Sequence, residues 1–463
     1  MRDLGAMDSS SDTIAAKATA AGHAGIGVVR VSGPATAAIA EAVLGRLPQP
    51  RRAVFGDFKD ASGRTIDQGI ALFFPGPASY TGEDVLELQG HGGPMVLEAL
   101  IQVVREAGAR DARAGEFSER AFLNDKMDLT QAEAVADLID SSSMQAARAA
   151  MRSLQGAFSE AVATLGQELI LLRTHVEAAI DFPEEEIDFL DDAALRDRIA
   201  QVDESFRTLM VSVESGRKLA DGITVVLAGA PNVGKSSLLN ALLGDDTAIV
   251  TEIPGTTRDL IRADAVINGV PVHLTDTAGV RDTSDVIERE GIRRSYAAAA
   301  SADHVLVVVD IRSDTLASDA AKLLGDLEKG TPASIVANKR DLSDETHKIP
   351  KTLRVLDREL PVFAVSALTG EGIESVASYL ANEVAGTADA TEGQFTARQR
   401  HVTLLEAARA HFDDGVAALE STRAGELLAE ELRLAQQSLD GITGRFTSDD
   451  LLGEIFSSFC IGK

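Results

Sequence analysis

Residues Gly229-Ala230-Pro231-Asn232-Val233-Gly234-Lys235-Ser236 spell G-x-x-x-x-G-K-[ST], and this octapeptide dictates its own surroundings. Backbone N–H groups cradle a phosphate where a strand ends, a glycine-rich loop turns around the anion, and a helix begins. The apolar run Ile223–Ala228 reads as that strand, and residues 237–243 read as the helix. The middle of the chain must therefore be an α/β nucleotide-binding unit. Lys235 brings charge to the β- and γ-phosphates, and the Ser236 hydroxyl is a ligand for Mg²⁺. Asn232, Val233, Gly234 and Ser237 complete the nucleotide-binding loop.

Downstream elements select the base. Asp276-Thr277-Ala278-Gly279 follows the strand-like run 272–275, placing a carboxylate near Mg²⁺ and the Gly279 N–H at the γ-phosphate. Asn338-Lys339-Arg340-Asp341 follows the buried-strand pattern at 334–337. The carboxylate of Asp341 can accept from guanine N1–H and its exocyclic amine, whereas adenine would leave it buried and unpaired. Ser366-Ala367-Leu368, after 362–365, is the supporting guanine loop. Four elements in this order predict a GTPase with GTP as substrate. Between the first two lie Thr251, Glu252, Ile253, Pro254, Gly255, Thr256 and Thr257, with Thr257 the second Mg²⁺ ligand. Val280 occupies the position where many such enzymes carry a water-orienting Gln. An isopropyl group cannot hydrogen-bond water, so Arg258, Arg281 and Glu288 are the candidates for that task.

Composition bounds the rest. The chain has 463 residues, with 72 acidic against 44 basic side chains and a net charge of −28. That length predicts several domains. The charge repels bare nucleic acid at long range, so an RNA partner would need a local basic patch or a second protein. One cysteine, Cys460, excludes an intramolecular disulfide framework and any Cys-cluster zinc site. No run reaches the roughly 18–20 apolar residues of a membrane span, and the first residues lack a charged-then-apolar leader pattern. The expected location is cytoplasmic, with no membrane partner.

The expected fold class is multidomain α/β plus α. Residues 1–116 read as an α/β domain, with strands at 25–31 and 70–74 and a helix at 95–107. Residues 117–216 read as helical. Leu154, Phe158, Val162, Leu165, Leu169, Leu172, Val176 and Ile180 trace one face of a single long helix ending near Pro183. Leu195, Ile199, Val202, Phe206, Leu209 and Val213 trace a second. The GTPase zone spans 217–383, and helical periodicity returns in 384–463 at Leu405, Phe412, Val416, Leu419, Leu428, Leu432 and Leu439. Helices on both sides predict a Ras-like α/β GTPase domain inserted into one discontinuous helical domain.

The flanks carry three further segments. One runs Tyr80-Thr81-Gly82-Glu83-Asp84-Val85-Leu86-Glu87-Leu88-Gln89-Gly90-His91-Gly92-Gly93, and the second runs from Arg113-Ala114-Gly115-Glu116-Phe117 to Asp125-Lys126. The third is the ending, Phe459-Cys460-Ile461-Gly462-Lys463. With the inserted GTPase, these resemble the MnmE (TrmE) family of tRNA-modification GTPases, and the resemblance runs from about residue 12 to residue 463. It implies a K⁺-dependent GTPase that works with the flavoprotein MnmG to install an aminomethyl-type group, as in 5-carboxymethylaminomethyluridine, at C5 of the wobble uridine of certain tRNAs. FAD would sit on that partner. The implied assembly is a homodimer, and a heterotetramer with MnmG.

The resemblance also implies an N-terminal tetrahydrofolate-binding domain carrying the one-carbon unit in its 5,10-methylene or 5-formyl form, with Arg30, Glu87, Lys126 and Lys463 at its site. It implies Asn232, Thr251, Ile253 and Thr256 as K⁺ ligands, Glu288 as the acid that helps orient water, and Cys460 as a residue acting near the one-carbon unit. A cation at the β/γ-phosphates can stabilise developing charge as an arginine finger does, and Val280 need not act. The chain departs from the family at Ala21-Gly22-His23-Ala24-Gly25-Ile26-Gly27, where His23 stands in place of an Arg. The rival readings are a ribosome-assembly or RNA-binding switch GTPase without modification chemistry, and a folate-dependent methyltransferase with no flavin partner.

Overall fold

Strands whose side chains alternate between two faces build the N-terminal sheet. The computed structural model describes residues 12–181, 193–244, 261–276, 302–313, 315–325, 331–343, 349–386, 394–445 and 449–462. They divide into two units, Met1–Ala136 with Asp440–Lys463, and Asp137–Leu439.

The first unit holds strands β1 (Thr13–Lys17), β2 (Ala24–Ser32), β3 (Val54–Lys59), β4 (Thr65–Phe74), β5 (Val85–Gly92) and β6 (Ala109–Asp111) in the order β3-β4-β5-β2-β1-β6. The cross-strand row Ala71, Leu88 and Val29 is fully buried. Helices α1 (Thr36–Leu44) and α2 (Pro94–Glu106) cover that face, with Leu97, Leu100, Ile101 and Val104 recurring at helical spacing along α2. Each such Leu contributes roughly 1.5–3 kcal/mol by burial. One residue further along each strand, Leu72, Glu87, Arg30 and Ala16 form the opposing row on the other face.

Helices α3 (Glu116–Leu123), α4 (Leu129–Asp140) and, from the far end of the chain, α13 (Asp449–Ser457) belong to the same neighbourhood. Leu129, Ala132, Ala136, Leu452, Ile455, Phe456 and Phe459 close one small core. Arg120 on α3 is 3% exposed and pairs with Asp12, Glu83 and Glu116. Glu83 also accepts from Ser32 Oγ at 2.6 Å, so α3 is tied through this network to β2 and to the segment before β5. The tail then bridges Ile461 to Ala114.

In the second unit, one sequence expectation is corrected. Leu154 and Phe158 do not share one helix. Helix α5 (Met144–Leu154) ends, the chain turns at Gln155 and Gly156, and α6 (Ala157–Asp181) begins. The break is held from outside the helix: Ser153 Oγ accepts from Thr396 N–H at 2.8 Å and donates to Thr396 O at 3.2 Å. Periodicity cannot register such a clasp, because the apolar face continues across it. Helix α7 (Ala193–Asp221) runs past position 217, where the GTPase zone begins in the sequence reading. Helices α11 (Gln399–Thr422) and α12 (Gly425–Thr443) complete the helical part. Phe158 stacks on Phe395 at 4.7 Å, and Phe206 on α7 meets Phe412 on α11 at 5.4 Å. Among the described residues, no helix is long and apolar enough to cross a membrane.

The remaining chain forms a seven-stranded sheet from β7 (Ile223–Ala228), β8 (Ile261–Ile267), β9 (Val270–Asp276), β10 (His304–Asp310), β11 (Ala333–Asn338), β12 (Thr352–Val355) and β13 (Arg358–Ala364). Its order is β12-β13-β11-β10-β7-β9-β8. The five strands from β13 to β9 are parallel, and the two edges are antiparallel. Parallel strands covered on both faces read as unbroken apolar runs, and β10 and β11 do so. Helices α8 (Lys235–Leu243) and α10 (Ile373–Tyr379) cover one face and α9 (Leu316–Gly325) the other.

Candidate functional site

The loop between β7 and α8 is shaped by close backbone approaches. A Cβ at position 229 would lie 2.4 Å from the Val308 carbonyl oxygen on β10. Gly234 adopts φ 97°, and a Cβ there would lie 2.3 Å from Asn338 Nδ2. Asn232 also has positive φ, at 64°. At the start of α8, Lys235 is 5% exposed, and its Nζ donates to Gly229 O at 2.8 Å and Ala230 O at 3.1 Å. Burial lowers its pKa, and the Asp276 carboxylate works against that shift. A desolvated ammonium with carbonyls of its own loop as partners is poised for an anion.

Ser236 Oγ donates to Asp276 Oδ2 at 2.8 Å, so the loop hydroxyl and the fully buried carboxylate at the end of β9 meet. Two hard oxygen donors side by side suit Mg²⁺, which binds proteins through one or two such groups and fills its shell with phosphate and water oxygens. Val233 is buried and Ser237 exposed on the same turn.

On the base side, Asn338 is 2% exposed and braces two loops. Its Nδ2 donates to Val233 O at 2.9 Å, and its Oδ1 accepts from Ala367 N–H at 3.0 Å. Asp341 Oδ1 accepts from Ser366 Oγ at 2.5 Å, which leaves the second carboxylate oxygen for a base edge. Ser366 is buried and Leu368 largely exposed. The structure thus gathers Val233, Gly234, Asn338, Asp341, Ser366 and Ala367 at the carboxyl ends of parallel strands, the usual ligand crevice of such sheets.

Sequence reasoning missed Asp310. Its Oδ2 accepts from Lys339 Nζ at 2.9 Å and from Arg312 Nη2 at 2.8 Å, while Oδ1 accepts from Arg312 N–H and Nε. Hydrogen bonds from Arg312, then Lys339, hold its carboxyl well below the usual range. The available signal was the apolar run 305–309 ending in an acid, the same strand-then-polar pattern that marks Asp276 and Asn338. An Asp310→Ala variant should bind GDP at least tenfold more weakly, since a hydrogen bond to a charged group contributes about 1.5–3 kcal/mol. Calorimetric titration measures this, and unchanged affinity would show that Lys339 needs no anchor.

In the other unit, Arg30 and Glu87 are opposite partners on β2 and β5. Arg30 Nε and Nη2 donate to Glu87 Oε1 at 3.0 and 2.9 Å. The guanidinium lies 5.6 Å from the Tyr80 ring and 5.8 Å from the Phe117 ring, and its Nη1 is 3.5 Å from Gly462 O. Lys126 Nζ donates to Pro77 O at 2.9 Å, beside the segment that carries Tyr80. Cys460 is exposed, and its carbonyl accepts from Gly115 N–H at 3.4 Å. The Glu87 Oε2 atom has a 3.3 Å contact from Gln89 Nε2, which leaves acceptor capacity of the kind a pterin donor edge requires. The residues present fit tetrahydrofolate in that respect.

Several sequence-derived candidates lie outside the described residues: Thr251, Glu252, Ile253, Pro254, Gly255, Thr256, Thr257, Arg258, Thr277, Ala278, Gly279, Arg281, Glu288 and Lys463.

Read from its antiparallel edge, the sheet runs β8-β9-β7-β10-β11-β13, with the phosphate loop after β7 and the guanine elements after β11 and β13. That is a Ras-like GTPase domain, and the protein is a GTP hydrolase. Two family models match the chain: the GTP-binding protein TrmE N-terminus over residues 13–126, and the MnmE helical domain over residues 129–460. The tRNA modification GTPase MnmE of Pectobacterium carotovorum subsp. carotovorum (strain PC1) is 52% identical over 460 residues, covering 98% of this chain and 100% of that protein. The protein of the same description from Yersinia pseudotuberculosis serotype O:1b (strain IP 31758) is 52% identical over 459 residues, with the same coverage. The chain belongs to the MnmE family.

Proposed function

We propose that this chain is a tRNA-modifying GTPase. It acts with the flavoprotein MnmG to place an aminomethyl-type group at C5 of the wobble uridine, drawing the carbon from a tetrahydrofolate carrier. The observation that carries this reading is likeness at 52% identity along the whole chain to a curated tRNA modification GTPase. The pairing of Arg30 with Glu87 beside Gly462 supports the carrier site. Arg30, Glu87, Lys126 and Lys463 would hold the carrier, whose one-carbon unit would supply the electrophile. The chain's own contribution is orientation: Glu87 accepts from the donor edge, the cations meet the anionic tail, and Cys460 stands on the adjoining terminus.

At the GTP site, Lys235 would neutralise phosphate charge, Ser236 and Thr257 would hold Mg²⁺, and Asp276, which accepts from the Ser236 hydroxyl, would add negative charge beside them. The Asp341 carboxylate reads guanine. Glu288 orients water, with Arg281 nearby in the chain as a second charged candidate. Asn232, Thr251, Ile253 and Thr256 hold K⁺, and two GTPase domains pair across a homodimer that assembles further with MnmG. The working division is 1–116 for the carrier domain, 117–216 and 384–463 for the helical domain, and 217–383 for the inserted GTPase, in the cytoplasm.

Mass analysis of tRNA nucleosides from a strain lacking this chain is the test. Loss of the C5-modified wobble uridine is expected, and an unchanged nucleoside profile would turn the reading toward a ribosome-assembly switch. For the cation, hydrolysis should be faster in K⁺ than in Na⁺, because a ring of oxygens selects by ion size and ligand field. Equal rates in the two salts would remove Asn232 and the 251–257 loop from that role.

A further inference from the structure

We propose that His273 is held as an imidazolium and serves as a positioning residue, pinning the β8–β9 hairpin to the end of helix α7. Its two ring nitrogens both face acceptors. Nδ1 is 2.7 Å from Asp264 Oδ1, and Nε2 is 2.9 Å from the backbone carbonyl oxygen of Asp221. A carboxylate and a carbonyl oxygen accept, so both nitrogens must carry hydrogen, and a ring with two N–H groups is cationic.

The surroundings fit that charge. Asp264 and His273 are directly opposed on β8 and β9. Asp221 is the last residue of a 29-residue helix, whose C-terminal carbonyls attract a cation. Gly222 follows at φ 78°, and a Cβ there would lie 3.0 Å from His273 Nε2. Glycine therefore allows both the left-handed helix end and the approach of the ring. Burial works against the charge, but the bonds to Asp264 and to the Asp221 carbonyl, with the charges of Asp264 and Asp221, outweigh it and raise the pKa. The charged groups around Asp221 are Asp137, Arg398, Arg217 and His273 itself.

The position of this tie gives it a role in hydrolysis. β9 runs three residues beyond His273 to Asp276, which receives the Ser236 hydroxyl, and β7 starts immediately after Gly222 and leads to the phosphate loop. β7 and β9 already pair in parallel, with Thr224 opposite His273, and a clamp between the end of α7 and β9 adds a second tie at the start of that pairing, before the strands reach the phosphate site. This rests on the GTP-site reading of Asp276. A neutral imidazole has one N–H, so loss of the proton breaks one of the two bonds. Because the folded-state pKa is raised, the tie is complete below the ordinary His range and is lost as pH rises through the raised value.

The test uses the full chain with labelled histidines. Proton-detected titration follows His273, identified among the eight histidines by its absence in His273→Gln. Its midpoint should lie above about 6.5 and fall in Asp264→Asn. Hydrolysis by the unmodified protein should drop several-fold in kcat across that midpoint, with KM little changed, and His273→Gln should show the lower rate without the step. A midpoint at or below about 6.5, no response to Asp264→Asn, or the same pH step in His273→Gln would overturn the proposal. Asp276→Asn separates the two readings: normal hydrolysis there would overturn the role given to Asp276, while the titration reads the tie independently.

Discussion

A Cys460→Ser variant is expected to lose most or all tRNA modification while hydrolysing GTP at close to the normal rate. The residue stands in the unit built on the N-terminal sheet, and the guanine-nucleotide elements stand in the other. Its side chain is exposed, so the exchange removes no buried surface. The terminus is anchored by backbone, through the Cys460 carbonyl, the Ile461–Ala114 bridge and the approach of Gly462 to Lys17, and none of these uses the thiol. What changes is reactivity, since a thiolate is a far stronger nucleophile than a hydroxyl at neutral pH. A modified-nucleoside assay and a GTPase assay on the same purified variant measure both outputs. Normal modification would leave Cys460 without a chemical role, and joint loss of both activities would point to a folding defect.

Glu288→Ala should lower GTP turnover by roughly 10²–10⁴-fold, the range for a positioned acid or base. The expectation starts from Val280, which cannot hydrogen-bond the attacking water and so requires another group to do it. Nucleotide affinity should be nearly kept, because the phosphate loop and the guanine loops are built from 229–236, 338–341 and 366–368. Single-turnover hydrolysis alongside GDP titration separates the two quantities. A large loss of affinity with intact turnover at saturation would assign Glu288 to binding.

The elements of the GTPase region are nearly all legible in the chain. Residues 223–228 fold as the strand expected there, and 272–275, 334–337 and 362–365 fall within or at the end of strands of the sheet. The runs 223–228, 334–337 and 362–365 are short, largely apolar and followed by a polar motif, and a parallel strand buried on both faces leaves little else for such a run to do. The N-terminal strands at 25–31 and 70–74 and the helix at 95–107 likewise lie within or overlap β2, β4 and α2. The apolar spacing from Leu154 to Phe158 runs across a break at which Gly156 takes φ 97°, and Thr396, 243 positions from Ser153, clasps the helix end there.

Local pattern thus determined the class of protein: the phosphate loop, the guanine elements and the flanking segments each depend on neighbouring residues and were readable in order. Tertiary structure decided what those residues do before any ligand arrives. Asn338, expected at the nucleotide, spans two loops through Val233 and Ala367, and Lys339 is held by an aspartate 29 positions earlier. Arg30 meets Glu87 across two antiparallel strands and Gly462 from the far end of the chain. His273 faces Asp264 on the neighbouring strand and the backbone carbonyl of Asp221 at the end of α7. Hydrogen bonds between distant residues are set by strand register and helix packing, and a linear pattern of residue types carries no record of either.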